Sequence, residues 1–473
     1  MSRILLNAFD MACVGHQSPG LWRHPEDQGH RYRDLRYWTG LAQLLESGGF
    51  DALFLADVLG LYDVYGGSRD AAVRTAAQVP VNDPLLAVSA MAAVTSRLGF
   101  GVTVSLAYEH PYALARRFTT LDHLTDGRVA WNVVTSYLDS AARNFGLSTQ
   151  MPHDERYELA EEYLEVCYKL WEGSWESDAV VRDAERGVFT DPAKVHDIEH
   201  KGRYFTVPGP FLCEPSPQRT PVLFQAGSSR RGVRFAGTHA EAVFVNGPTP
   251  AGVRRSVDAV RRHADEAGRD PRSIKIFAML TPISAATDAA AQAKLAEYRA
   301  HTSPEGALAL FGGWTGVDLG DAAPTDRLEY VTTDANRSAL ASFTTADPDR
   351  AWTVGELAEF VALGGRGPIL TGSGATVADE LERWADEADV DGFNLAHVVT
   401  PGTFEDFIEH VVPELRRRGR IPPASDLTAP DLTASDSSVP DPVGRPATLR
   451  ERFGTSPGPL LPADHPGARY RRP

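Results

Sequence analysis

Cysteine is nearly absent from this 473-residue chain, which has three in all, Cys13, Cys167 and Cys213, far apart from one another. Three scattered thiols build neither a disulfide framework nor a four-thiolate metal site, and the chain reads as cytoplasmic. Long apolar runs are missing too. The longest near-apolar window, 85–94, falls far short of the ~20 residues a membrane-crossing helix needs. The apolar start of the chain runs into polar sequence without the cleavage region of a secretory signal. A third absence is excess positive charge. With 47 Lys+Arg against 63 Asp+Glu the formal net charge is −16. No basic stripe is present to follow a nucleic-acid backbone, although a single cofactor phosphate could still be held locally.

Several catalytic signatures are also lacking. There is no Gly-x-Ser-x-Gly elbow and no lysine after a glycine run, and Gly372-Ser373-Gly374 lacks the third glycine of a dinucleotide fingerprint. His196 and His200 stand four apart. They do not form an HExxH pattern and nearby Pro and Gly argue against a helix, so no metal is expected. Cys13 reads as a small buried residue rather than a thiolate.

What remains is an ordinary globular composition, 42% hydrophobic and 23% charged. Short apolar, β-branched runs alternate with amphipathic stretches of helical length, as parallel strands joined by crossover helices require. Eight runs read as strands: 4–9, 52–56, 98–105, 128–134, 222–226, 242–245, 274–280 and 392–398. The pattern predicts an α/β fold, a (β/α)₈ TIM barrel over residues 1–420. Leu35, Trp38, Leu41, Ala42 and Leu45 recur at helical spacing before a Gly48-Gly49 stop, Asp83-Pro84 opens a second helix, and another opens near Asp154. Intervals 172–220 and 303–367 are too long for simple loops and read as insertions, which at the C-terminal mouth of a barrel commonly cover the active site. Residues 421–446, rich in Pro, Asp, Ser and Thr and holding the near-repeat Asp426-Leu427-Thr428-Ala429 and Asp431-Leu432-Thr433-Ala434, predict a disordered linker before a C-terminal tail, 447–473.

The strongest local cluster is Gln225-Ala226-Gly227-Ser228-Ser229-Arg230-Arg231-Gly232, between a strand and a helix. Small residues let the backbone approach an anion, Ser228 and Ser229 add hydroxyls, and the helix start presents free N–H groups. Equally, the turn could be an ordinary one with a serine N-cap. His153 and Tyr157, four apart at a helix opening, can face one ligand; Tyr157 could instead be the first core aromatic of its helix. Asp57, Thr103 and Asn132 stand at or near the C-terminal ends of three successive strands, where a TIM barrel holds its ligands. Singly, Asp57 could be a turn residue and Thr103 a β-former.

Seven ordered segments now add up. Among them are Trp22-Arg23-His24-Pro25, Phe54-Leu55-Ala56-Asp57, Thr120-Leu121-Asp122-His123-Leu124, Asn132-Val133-Val134-Thr135-Ser136 and Ala142-Arg143-Asn144-Phe145-Gly146. Together they resemble the branch of luciferase-like flavoproteins that includes nitrilotriacetate and dibenzothiophene sulfone monooxygenases, and the likeness covers nearly the whole chain. It implies that Asp57, Thr103, His153, Tyr157 and Ser228 line an FMN site, with Ser228, Tyr157 and Ser229 near the phosphate and Asn132 by the isoalloxazine. It also implies reduced FMN supplied by a separate NAD(P)H:flavin reductase, O₂ as co-substrate, and a homodimer or homotetramer. Further segments, including Val79-Pro80-Val81-Asn82-Asp83-Pro84 and Gly312-Gly313-Trp314-Thr315-Gly316, are similar to members that oxidise small organosulfur compounds. They imply conversion of dimethyl sulfide to methanethiol and formaldehyde. Larger sulfones, amines or natural products are the alternative within the branch, and a flavin- or deazaflavin-binding barrel without oxygenase activity is the alternative outside it. Phe9, Trp22 and Phe244 are candidates for the substrate pocket, Phe9 and Phe244 reading also as core, and His16 is the candidate for proton transfer. Thr448-Leu449-Arg450-Glu451 resembles the family's closing element, but the spacer before it leaves its docking open.

Overall fold

A computed structural model describes residues 3–227, 229–345, 350–427 and 446–472. Eight parallel strands form the barrel: β1 Leu5–Met11, β2 Ala52–Ala56, β3 Gly99–Ser105, β4 Val129–Val134, β5 Val222–Gln225, β6 Ala242–Val245, β7 Lys275–Ala285 and β8 Gly392–Ala396. Neighbours run β6-β5-β4-β3-β2-β1-β8-β7, and pairing of β6 with β7 closes the ring. Every expected strand is present. β7 continues past its expected end at 280 because Thr281–Ala285 pairs with a further strand, Ile369–Ser373. That strand was not expected, since Gly372 and Ser373 cut short the β-forming run Ile369-Leu370-Thr371.

The helices begin and end where local chemistry directs. α1, Leu35–Gly48, is capped by Asp34 and stops at Gly49 with φ 87°, a left-handed value that glycine adopts without strain. α2, Leu85–Ala92, receives a cap from Asp83, whose Oδ1 accepts from the Leu85 N–H at 2.9 Å. α3, Pro111–Leu124, and α4, His153–Gly173, pack on the β3–β4 side, α4 burying Tyr157, Ala160, Leu164, Cys167 and Trp171. α5, Arg230–His239, follows β5. Among the described residues no helix is long and apolar enough to cross a membrane.

Inside the ring, Phe54, Phe224, Phe244 and Phe277 pack with centroids 4.6–5.8 Å apart. Gly101 is required there, because a Cβ would fall 2.3 Å from the Phe224 ring. The tail closes this interior from the strands' N-terminal side. Its helix Leu449–Phe453 stacks Phe453 on Phe224 at 5.9 Å and presses Leu449 against Gly99. Arg450 and Glu241, both 0% exposed, pair at 2.7 and 2.8 Å. The tail therefore docks as a plug. Most of the expected linker, 428–445, lies outside the described residues.

The two insertions differ from expectation in one respect. Residues 172–220 contribute short hairpins and none of the cavity wall. The reason is topological: a segment between helix and strand emerges at the N-terminal end of a barrel, away from the mouth. Residues 303–367 do reach the mouth. They bring helices Pro304–Thr315 and Val354–Val361, packed in a second core around Phe311, Phe343 and Trp352 that also takes in Tyr62, Ala72 and Leu138.

Candidate functional site

At the C-terminal mouth the strand ends enclose one long cavity, roofed by the 303–367 insertion. At one end, the turn after β5 feeds the N-terminus of α5. Ser229 caps that helix, its hydroxyl accepting from the Gly232 N–H at 3.1 Å. The Tyr157 hydroxyl lies against the same turn: a Cβ at Gly227 or Gly232 would come within 2.8 or 2.6 Å of it. His153 stands beside Tyr157, ring centroids 5.4 Å apart, so the expected pairing across one helical turn holds. Burial raises the Tyr157 phenol above its ordinary pKa, opposed by a hydrogen bond with Ser229. Ser228 lies outside the described residues.

Midway, register explains the placement of two polar side chains. Thr103 and Asn132 are direct partners across β3 and β4, and Asn132 Nδ2 donates to Thr103 Oγ1 at 2.9 Å. Among the described residues, buried Asn132 Oδ1 has no partner, and neither has Gln225 Oε1 on β5. Buried acceptors in that state are expected to meet a ligand or water.

Asp57 completes the middle of the cavity. Burial, reinforced by Asp83, pushes its carboxyl from 3.8 to about 7. The folded chain thus retains a proton that the unfolded chain has already released, so this group's contribution to stability falls as pH rises from about 4 to 7. We expect Asp57→Asn to flatten that slope, gaining about 2 kcal/mol over wild type at pH 8 relative to pH 5 in denaturant titrations of the flavin-free protein. Parallel profiles would contradict a protonated Asp57.

The far end is built from residues the sequence reading largely missed. Gln78 and Tyr137 line it; buried Tyr62 supports them, donating to Gln78 Oε1 at 2.6 Å and lying 2.9 Å from the Tyr137 hydroxyl, while Gln78 Nε2 donates to the His16 carbonyl at 2.7 Å. Trp314 and Arg366 come from the insertion. Tyr62, Gln78 and Tyr137 sit in irregular loops, so the sole sequence signal was their nearness to strand C-termini. For Arg366 the signal was the preceding Gly364-Gly365.

Of the substrate candidates, Phe9 and Phe244 line the cavity while packing on Phe54 at 5.0 and 4.6 Å. Trp22 does not reach it. On the short turn Leu21–Arg23, Leu21 is the buried residue and Trp22 is 45% exposed. His16 lines the cavity, its ring 4.5 Å from Phe9, and burial pulls its pKa down to about 3, leaving it neutral. Gln17 Nε2 lies 3.0 Å from His16 Nε2. An amide nitrogen can only donate, so the ring proton resides on Nδ1.

Beside it, His397 Nε2 and Asp10 Oδ1 form a buried pair at 2.9 Å. Burial would lower His397, but Asp10 and Asp27 together more than offset it and its pKa is raised. Ligand-type atoms of Asp10, His16 and His397 lie within 4.8 Å of one another. With Asp10 and Gln17 already occupying an Nε2 on each ring, the group reads as an ion pair beside a neutral imidazole. His196 and His200 pair separately with Glu176 and Glu162. Cys13 is buried, its thiol pKa raised by desolvation.

The model of the family described as luciferase-like monooxygenase matches residues 18–392. The chain belongs to the luciferase-like monooxygenase family. Like other members it is a flavin-dependent monooxygenase on a TIM barrel. The dimethyl-sulfide monooxygenase of Hyphomicrobium sulfonivorans is 54% identical over 470 residues, 99% of this chain and 94% of that one. The long-chain alkane monooxygenase of Geobacillus thermodenitrificans (strain NG80-2) is 51% identical over 469 residues, 99% and 98%. Among solved structures, a riboflavin lyase with modified FMN and riboflavin superposes with a TM-score of 0.89 at 38% identity, covering 100% of each chain.

Proposed function

We propose that this luciferase-like monooxygenase takes reduced FMN from a separate NAD(P)H:flavin reductase and uses O₂ to oxidise a small organosulfur compound, dimethyl sulfide first among them. The observation that carries the flavin part is the cavity's polarity. A glycine cradle and helix N-terminus at one end suit a phosphate, and the oxygens of Asn132 and Gln225, unpartnered among the described residues, suit the N–H groups of an isoalloxazine edge. Asp57, Thr103, Asn132, His153, Tyr157 and Ser229 then hold FMN, with Ser228 beside them. Bound flavin supplies the two electrons and activates O₂, while the protein orients the reactants and excludes water.

The aromatic residues of the cavity wall, Phe9, Phe244 and Trp314 among them, suit a small apolar thioether. One oxygen atom enters a methyl C–H bond: CH₃SCH₃ + O₂ + 2e⁻ + 2H⁺ gives HOCH₂SCH₃ + H₂O. The hemithioacetal then breaks its C–S bond, its hydroxyl proton passing to sulfur, and yields formaldehyde and methanethiol. Neutral His16, protonated on Nδ1, is the group placed to relay that proton. We further propose a barrel unit over residues 1–420 and a homodimer or homotetramer.

The test is turnover with FMN, NADH and a generic flavin reductase, offering dimethyl sulfide, a long-chain alkane and dibenzothiophene sulfone in parallel. Formaldehyde and thiol in equal amounts from dimethyl sulfide are expected. No formaldehyde above a reductase-only control would sink the dimethyl sulfide reading, and a primary alcohol from the alkane would replace it.

A further inference from the structure

Arg366 has a cavity position that a neutral sulfide does not explain. Its guanidinium carbon lies 5.3 Å from the centre of the Trp314 ring, with the phenols of Tyr62 and Tyr137 close enough to act on its charge. The side chain is half-buried in the cavity wall. Among the described residues it pairs with no carboxylate and donates no hydrogen bond. By contrast, the guanidiniums of Arg128, Arg219 and Arg450 all donate to carbonyl or carboxylate oxygens.

Nor is Arg366 a loose arginine on a mobile turn. Gly364 and Gly365 before it take left-handed φ of 81° and 68°. The Gly364 N–H donates to Ser18 Oγ at 3.0 Å, and a Cβ on Gly367 would lie 2.7 Å from the Met279 carbonyl oxygen. The backbone that carries the cation is thus packed in place, and the Trp314 ring lies against the cation itself. Removing a guanidinium from water without an anion is unfavourable, and stacking on an indole offsets part of that. Its N–H fork matches a carboxylate.

We propose that Arg366 anchors the anionic end of a substrate, so that beyond neutral sulfides the enzyme takes short thioethers bearing a carboxylate. This rests on the monooxygenase chemistry proposed above. For (methylthio)acetate, CH₃SCH₂COO⁻ + O₂ + 2e⁻ + 2H⁺ gives HOCH₂SCH₂COO⁻ + H₂O, the electrons coming from reduced flavin. Scission of the C–S bond then yields formaldehyde and HSCH₂COO⁻, with the carboxylate unchanged.

The experiment compares (methylthio)acetate and 3-(methylthio)propanoate with neutral ethyl methyl sulfide, reading both turnover and calorimetric binding to FMN-loaded enzyme. The wild type is expected to bind and oxidise at least one acid. Arg366→Met should lower the ratio of kcat/KM for that acid to kcat/KM for the neutral sulfide roughly 30-fold, with a matching rise in the acid's Kd. Arg366→Lys should regain part of the ratio. A wild type that oxidises the neutral sulfide but neither binds nor oxidises an acid overturns the proposal, as does an equal loss for both substrates in Arg366→Met. Arg366-dependent binding of an acid with no oxidation of any sulfide would keep the anion anchor and reject the organosulfur reading.

Discussion

Replacing Arg450 by methionine is expected to cost the fold about 3–5 kcal/mol. The side chain lies at the centre of the tail's plug, 0% exposed, and its partner Glu241 is equally buried. Besides the ion pair, Arg450 donates to the backbone oxygens of Gln218, Thr220 and Pro459. Methionine fills much of the volume but supplies none of these donors, so Glu241 is left with the Leu223 N–H and the Thr455 hydroxyl. A charge stranded in this way accounts for most of the loss. Neutralising it as well, in Arg450→Met with Glu241→Gln, should therefore recover a large part, because replacing both members of a buried pair is often close to neutral. Equilibrium denaturation of the two variants tests both statements, and a loss under about 1 kcal/mol in the single variant would mean the tail contributes little to the barrel. Flavin affinity of the folded variant should stay near wild type, since the plug lies at the end of the barrel opposite the cavity.

How much of this was legible beforehand follows from the range over which each signal acts. Strand positions were legible because β-branched and apolar runs are local, and the eight ring strands appear within a residue or two except where β7 continues into the pairing with Ile369–Ser373. Thr103 and Asn132 were legible as strand-end polar residues. That they join through neighbouring register is a property of pairing, which no single run carries. His153 and Tyr157 were legible from a helical spacing of four. Trp22 was not: the sequence offers Leu21 and Trp22 as adjacent apolar residues, and only packing decides that leucine turns inward. Tyr62, Gln78 and Tyr137 converge from loops without periodicity, 75 residues separating the two tyrosines that share a hydrogen bond. The docking of the tail was hidden for the same reason, because the anchoring contact joins residues 209 apart.

Gly232→Ala should weaken reduced-FMN binding on the order of 10–100-fold while leaving the chain folded, and a double-mutant cycle with Tyr157 separates the causes. Gly232 sits in the first turn of α5, where alanine would favour the helix by about 1 kcal/mol. Against that, its Cβ would stand 2.6 Å from Tyr157 Oη and 3.1 Å from the Gly227 carbonyl, a collision costing about 1–3 kcal/mol. The two nearly cancel in stability. They do not cancel in the cradle, because the clash is relieved by moving the Tyr157 hydroxyl or the Gly227 backbone, the two groups that face the proposed phosphate. Tyr157→Phe alone removes a hydroxyl and should weaken binding about tenfold. If displacement of that hydroxyl is the cause, Gly232→Ala in a Tyr157→Phe background costs much less affinity than in wild type, since the atom it strikes is gone. Additive losses would instead assign the effect to the Gly227 backbone, and unchanged affinity in both single variants would remove the phosphate from this end of the cavity.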